Sequence, residues 1–139
     1  MILHTEISIN ATPEKIWNVL TDFNAYPTWN PLVKSLTGNV AVGNIIKVQL
    51  DSMTFKPEVL VYDRNKEFEW KGHLLFKGLF DGKHRFLLQD NEDGTTQFVH
   101  SENFKGLLVP LMKKKLNTEV KASFEALNEA LKEVAERVR

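Results

Sequence analysis

The sequence contains no cysteine among its 139 residues. This absence excludes disulfide-stabilised scaffolds, thiolate nucleophiles, cysteine zinc sites and iron–sulfur clusters. The seven glycines are scattered singly, so the chain has neither a glycine-rich phosphate loop nor a dinucleotide-binding fingerprint. No serine, histidine and aspartate stand in the order of a hydrolase triad. We therefore predict no cofactor.

Neither sign of charge is in excess. Eighteen basic and eighteen acidic side chains cancel, which gives a formal net charge of zero with the histidines neutral. Proteins that bind duplex nucleic acid usually carry a surplus of lysine and arginine. A nucleic-acid partner is therefore not expected. The basic run Lys113-Lys114-Lys115 is followed by acidic residues, which is typical of a helix face turned to water.

Long apolar runs are also missing. No stretch approaches the roughly 18–20 apolar residues that a membrane span needs, and residues 1–10 lack the basic flank and apolar core of a secretory signal. We expect a cytoplasmic protein that does not insert into membranes. The length, with 42% hydrophobic and 26% charged residues, is typical of one folded domain over residues 1–139.

The first third of the chain changes its hydrophobic period twice. Residues 2–10 alternate between apolar and polar, which predicts a strand with one buried face. Thr12-Pro13 predicts a helix start, because threonine can cap free N–H groups and proline in the first turn loses no hydrogen bond. Two prolines in residues 24–31 predict a turn that holds at most one short helical turn.

Residues 32–106 predict six further strands that are separated by turns. In the hairpin around Arg64-Asn65, placing Asp63 opposite Lys66 sets Val59 opposite Trp70 and makes one face apolar. We therefore expect a curved, seven-stranded antiparallel sheet. The six strands are predicted at residues 32–37, 45–53, 55–63, 66–72, 84–89 and 96–105.

A long helix is predicted at the C-terminus. Apolar residues recur every three or four positions from Leu116 to Val138, and about 30 helical residues would span about 45 Å. Pro110 marks either the first turn of this helix or a kink just inside it. The concave face of the sheet is the surface on which such a helix can lie, so we predict an α+β fold. A curled sheet that closes on one helix leaves an unfilled apolar pocket at its wide end.

Six segments along the chain form a familiar pattern. They are Ala11-Thr-Pro-Glu-Lys-Ile-Trp17, Thr21-Asp-Phe23, Tyr26-Pro-Thr-Trp-Asn-Pro31, Trp70-Lys-Gly72, Asp81-Gly-Lys-His84 and Glu102-Asn-Phe-Lys-Gly-Leu107. The order and spacing of these segments resemble the START/Bet v1-like (SRPBCC) superfamily, and in particular its bacterial polyketide cyclase/dehydrase-like branch. The resemblance covers the whole chain and implies the helix-grip fold, with one or two short helices after the first strand. Members of this superfamily bind lipids, sterols, hormones, quinones or polyketides, and some catalyse cyclisation or dehydration, so the resemblance does not select a function.

Ionisable side chains lie on the inward face of the last predicted hairpin. If His84 lies opposite Glu102, then Phe86 lies opposite His100, and all four side chains face the pocket. Because burying an unpaired polar group costs roughly 2–7 kcal/mol, Glu102 needs a partner, and His84 is the candidate.

Three interpretations of the His84–Glu102 pair stay open. The pair can rigidify the pocket mouth only, or it can orient a ligand carbonyl or hydroxyl. It can also be catalytic, with His84 and Glu102 as an acid/base dyad that shuttles a proton in an enolisation, cyclisation or dehydration. Two histidines and a carboxylate could in principle bind a metal ion, but no helical H-x-x-x-H pair supports a metal site, and none is predicted.

The leading functional hypothesis is that the chain binds a small hydrophobic molecule of the lipid, polyketide or aromatic class. The alternative is a cyclase or dehydratase that uses the same pocket. The ligand is expected to enter between residues 26–31 and 106–112, and Trp29 is interpreted as a plug of the open end or a lid. Exposed apolar residues near 79–80 and 107–109 leave a monomer or a weak homodimer as the expected state. The predicted ligand contacts are Trp29, Phe55, Val59, Trp70, His84, Phe86, Phe98, His100, Glu102 and Phe104.

Overall fold

The computed structural model describes residues 1–51 and 53–137. Its helices are α1 (Pro13–Leu20), α2 (Tyr26–Trp29), α3 (Val109–Lys115) and α4 (Lys121–Arg137). A 3₁₀ turn at Phe23–Ala25 precedes α2, and a π-helical stretch at Leu116–Val120 joins α3 to α4. The strands are β1 (Ile2–Ile9), β2 (Ser35–Thr37), β3 (Lys47–Gln49), β4 (Thr54–Phe55), β5 (Glu58–Asp63), β6 (Glu67–His73), β7 (Asp81–Asp90) and β8 (Thr96–Lys105).

The N-terminal elements follow the sequence prediction. Leu3, Thr5 and Ile9 of β1 are buried on one face of the strand. The Thr12 side chain accepts a hydrogen bond from the backbone N–H of Lys15, so the predicted start of α1 is confirmed. The short helical turn expected within residues 24–31 is α2 together with the 3₁₀ turn before it.

The β-structure is divided into two sheets. A five-stranded antiparallel sheet has the order β1-β8-β7-β6-β5, and a three-stranded sheet has the order β2-β3-β4. The prediction of one seven-stranded sheet is therefore wrong. The reason lies at Pro57, which has no N–H for a ladder hydrogen bond and separates β4 from β5 where one strand was expected.

The β5–β6 hairpin shows a second departure. Val59 lies opposite Trp70 as predicted, but Asp63 lies opposite Glu67, because a bulge between Val59 and Val61 shifts the register. Lys66 belongs to the turn instead, and its N–H donates to the Asp63 carbonyl at 3.0 Å. The β7–β8 register is confirmed, since His84 pairs with Glu102 and Phe86 with His100.

The C-terminal segment is helical from Val109 to Arg137, and Pro110 lies in its first turn. Val138 lies outside the described residues. The coarse prediction of an α+β fold with a large antiparallel sheet and a long C-terminal helix is confirmed, and the arrangement is consistent with a helix-grip. No helix in residues 1–51 or 53–137 is long and apolar enough to cross a membrane.

The core is divided into two clusters along this helix. The larger cluster includes Leu127 and Leu131 of α4 and Phe68, Phe86 and Phe98 of the sheet. The smaller cluster contains Leu3, Phe104, Val109, Leu116 and Phe124. Packing near the C-terminal end of α4 is therefore tight, and the interior space lies towards α3.

Candidate functional site

A cavity of about 330 Å³ lies between the two sheets and the C-terminal helix. This volume is at the lower end of the range for small-molecule sites, roughly 300–1,000 Å³. The walls are mainly apolar, and they come from the large sheet, the small sheet and the helical segment. Representative lining residues are Val48, Leu50, Phe55, Trp70, Leu116 and Phe124.

Two glycines lie side by side on the cavity wall. Gly72 of β6 lies directly opposite Gly82 of β7, and both line the cavity. The Glu102 carboxylate lies where a Gly82 side chain would be, and Pro57 approaches Gly72. On the other side, the π-helical stretch supplies Leu116 and Val120 to the cavity wall. Such π-helical turns are frequent at functional sites.

The cavity reaches solvent at one end, where its lining residues Met53, His73 and Lys115 are exposed. Leu108 and Met112 also line the cavity, so the start of the C-terminal helix borders it, as the predicted entry route requires. Residues 26–31 do not line the cavity. Residues 53–57 and 72–74 form the opposite side instead.

The structure brings half of the predicted ligand contacts together at the cavity. Phe55, Trp70, His84, Glu102 and Phe104 all line it. Their roles in binding or catalysis remain predictions.

The other five predicted contacts do not line the cavity. Trp29 packs edge-on against Tyr26 and borders a shallow groove beside α4, so it is not a lid over the cavity. Val59, Phe86, Phe98 and His100 are at most 1% exposed. The first three belong to the larger core cluster with Leu127 and Leu131, and His100 stacks on Phe124.

Several lining residues were not predicted. Leu116, Val120 and Phe124 were identified only as the apolar face of the helix, and periodicity cannot separate packing residues from ligand contacts. Gly72 and Gly82 were the available signal that other groups approach the inward face of the sheet closely at this level. An inward-facing glycine in a strand leaves room for the close approach of a ligand or another group.

A buried chain of hydrogen bonds begins at the cavity wall. Glu102 Oε1 lies 2.9 Å from His84 Nδ1, and His84 Nε2 lies 2.7 Å from His100 Nε2. His100 Nδ1 lies 2.8 Å from Asn128 Oδ1. Asn128 Nδ2 donates to Thr5 Oγ1 at 2.9 Å, and the Thr5 hydroxyl donates to the His100 carbonyl at 2.7 Å. The pairing expected for Glu102 is therefore present, and α4 extends it through Asn128.

Aromatic packing holds both imidazoles in place. The His84 ring stacks on Trp70, with ring centroids 4.9 Å apart, and the His100 ring stacks on Phe124 at 4.1 Å. Complete burial lowers the pKa of His100 well below its ordinary value, and the neighbouring His84 lowers it further. His100 is therefore a neutral link between the cavity wall and α4.

No group of three or more His, Asp or Glu side chains within residues 1–51 and 53–137 is arranged to hold a metal ion. Both nitrogens of His84 and both nitrogens of His100 are instead engaged in hydrogen bonds with each other, Glu102 and Asn128.

A comparison with protein families identifies one family whose model matches this chain. The family model described as polyketide cyclase/dehydrase and lipid transport matches residues 2–136. The chain therefore belongs to this family. A comparison with curated proteins finds no match.

Solved structures show the same fold at low identity. A protein from Mesorhizobium loti is similar over 100% of this chain and 99% of its own, with 21% identity and a TM-score of 0.80. The Zhui aromatase/cyclase from Streptomyces sp. R1128 is similar over 99% and 94%, with 15% identity and a TM-score of 0.78. A START superfamily protein from Mycobacterium smegmatis is similar over 96% and 98%, with 19% identity and a TM-score of 0.71.

Proposed function

We propose that this protein binds a small apolar molecule in the cavity between its sheets and its C-terminal helix. The observation that carries this proposal is an apolar space of about 330 Å³ with one polar pair, His84 and Glu102, on its wall. Membership of a family that includes lipid-transport and polyketide-modifying proteins supports it.

The size and lining of the cavity favour a compact ligand. A volume near 330 Å³ suits one to three fused rings or a short acyl chain better than a two-chain lipid. Trp70, Phe104 and Phe124 supply aromatic walls on which flat rings can stack. Within the predicted range of lipid, polyketide or aromatic ligands, we therefore favour a planar aromatic or polyketide-like molecule.

A fluorescence titration with the neutral apolar dye N-phenyl-1-naphthylamine tests this proposal. The wild-type protein should bind the dye with a strong rise in emission. Met112→Asp places a carboxylate at a half-buried position of the cavity wall and should weaken binding at least about tenfold, because a charged group disfavours an apolar ligand beside it.

Leu111→Asp is the matched control. Leu111 is the adjacent helix residue and is 81% exposed, so its replacement should leave the affinity unchanged. Equal weakening by both substitutions, or no binding by the wild type, would contradict a ligand site in the cavity.

A cyclase or dehydratase activity is the second candidate, because an acid/base pair lies on the wall of the cavity. The Zhui aromatase/cyclase shares the fold alone. Since both nitrogens of His84 are engaged within the protein, proton exchange with a ligand would pass through Glu102.

Deuterium incorporation into 2-tetralone, an apolar bicyclic ketone, tests this candidate by NMR. An enolising enzyme should accelerate exchange of the hydrogens beside the carbonyl. Glu102→Ala and His84→Ala should then abolish the acceleration but only weaken binding. Exchange in D₂O that is no faster with the wild type than in buffer would remove enolisation chemistry from the proposal.

A further inference from the structure

The donor and the acceptor of each hydrogen bond in the buried chain can be assigned by starting at Thr5, the end of the chain farthest from the cavity. The Thr5 hydroxyl has one hydrogen, and it donates this hydrogen to the His100 carbonyl, which can only accept. Thr5 Oγ1 must therefore accept from the other neighbour, the amide nitrogen of Asn128. This fixes the orientation of the Asn128 amide, whose oxygen faces His100.

The amide orientation in turn fixes the hydrogens on the two imidazoles. His100 Nδ1 must donate to the Asn128 oxygen, and because buried His100 is neutral, its Nε2 carries no hydrogen. His84 Nε2, which lies 2.7 Å away, must therefore be the donor in the contact between the two rings.

One proton then remains between His84 Nδ1 and Glu102 Oε1, which lie 2.9 Å apart. It can lie on the imidazole, opposite a carboxylate, or on Oε1, opposite a neutral imidazole. In both arrangements the second oxygen, Oε2, has lone pairs and no hydrogen. The polar wall of the cavity therefore presents an acceptor wherever this proton lies.

The position of Oε2 leaves it available to a ligand. A methyl group on Gly82 would lie only 2.0 Å from Oε2, so the glycine makes room for the carboxylate at the cavity wall. No group in residues 1–51 or 53–137 forms a hydrogen bond to Oε2. Ser123 also lines the cavity, and its hydroxyl hydrogen is used in a 2.7 Å bond to the Val120 carbonyl. The other lining side chains that carry donor hydrogens are His73 and Lys115, which are exposed at the rim, and Trp70, whose indole N–H forms no hydrogen bond within the described residues.

We infer that Glu102 Oε2 accepts a hydrogen bond from the ligand, so that the cavity prefers apolar molecules that carry a donor, such as a phenol or an alcohol, over the same rings without one. A carbonyl or ether oxygen at this position would place its lone pairs against those of Oε2. This inference rests on the proposed function, and of the carbonyl and hydroxyl ligands that the sequence left open it assigns the hydroxyl to Glu102.

Calorimetric titrations with 1-naphthol and with 1-methylnaphthalene test the inference. The two molecules have the same rings and substituents of similar size, but only the naphthol can donate. In Glu102→Met the preference for naphthol over methylnaphthalene should fall by about tenfold relative to the wild type, which corresponds to the loss of one hydrogen bond.

The outcomes separate the inference from the proposed function. If the wild type binds both molecules and shows no preference beyond that of Glu102→Met, the inference is wrong while the proposed function stands. If it binds neither molecule, the proposed function fails as well.

A pair of glycine substitutions provides the matched control, since Gly72 and Gly82 lie opposite each other and both line the cavity. Gly82→Ala should displace the Glu102 carboxylate and reduce the preference for naphthol. Gly72→Ala narrows the cavity for both molecules alike, so it can lower both affinities but should keep their ratio, because its methyl group would meet Pro57, at 3.4 Å, and not Glu102. If Gly82→Ala and Gly72→Ala showed the same preference for naphthol over methylnaphthalene, the assignment of Oε2 as the acceptor would be wrong.

The assignment of hydrogens has its own readout. Long-range ¹H–¹⁵N spectra of the histidine rings should show His100 as the neutral form with its hydrogen on Nδ1. A hydrogen on His100 Nε2 would reverse the hydrogen bond between the two rings and contradict this assignment of hydrogens.

Discussion

Replacement of Phe98 by alanine should lower the free energy of unfolding by about 3–5 kcal/mol, the range for large aromatic residues in filled cores. Phe98 is fully buried and lies parallel to Phe86, with an interplanar angle of 16°. The large core cluster surrounds it and leaves little room for collapse around the missing ring. Urea denaturation followed by circular dichroism would measure this loss.

Phe76→Ala is the control for this experiment, because the Phe76 side chain is exposed in the loop between β6 and β7. Its loss should change the free energy of unfolding by no more than about 0.5 kcal/mol. A loss below about 1 kcal/mol for Phe98→Ala would contradict a filled core at this end of the sheet. It would restore Phe98 as a candidate ligand contact.

Acidification should destabilise the protein through His100. In the folded state, complete burial and the nearby His84 hold the pKa of His100 well below the ordinary 6.5, so the ring stays neutral. The unfolded chain takes up a proton as the pH falls through 6.5, and it then binds more protons than the folded state. The stabilisation is therefore complete above this pH, and each unit below it costs about 1.4 kcal/mol while His100 remains neutral.

The pH dependence can be assigned by substitution. His100→Gln removes the titrating ring, so its free energy of unfolding should fall less steeply between pH 7.5 and 5 than that of the wild type. His73→Gln, at an exposed position of β6, should keep the wild-type slope. If the free energy of unfolding of His100→Gln fell with pH as steeply as that of the wild type, groups other than His100 would cause the loss of stability in acid.

Local patterns in the sequence were sufficient for much of the fold. Alternation identified β1, and Thr12-Pro13 identified the start of α1. The expected register of β7 and β8 places the apolar faces of both strands on the same side, and the structure pairs His84 with Glu102 in this way. These features depend on neighbours in the chain or on one pair of strands.

Features that depend on three-dimensional packing were missed. The break at Pro57 separates two sheets, and a proline within a predicted strand was its available signal. The bulge between Val59 and Val61 has no comparable signal. Asn128 lies among the apolar positions Phe124 and Leu131 of the helix, where a polar residue could have indicated a buried partner.

The division of the inward face into core and cavity was also beyond the sequence. Phe86 and Phe104 have the same alternating pattern, yet the first packs under α4 while the second lines the cavity. What differs is the part of the C-terminal helix that lies above each residue. Periodicity predicts which side chains point inward, but it does not predict how completely the opposite element fills the space.

A crystal structure of the protein with 4-bromo-1-naphthol, with anomalous data collected at the bromine edge, tests the central claim most directly. The bromine peak should lie inside the cavity, between Trp70 of the sheet and Phe124 of α4, with the naphthol hydroxyl at hydrogen-bond distance from Glu102. A solid interior without bromine, or a peak only in the groove between Trp29 and α4, would contradict it.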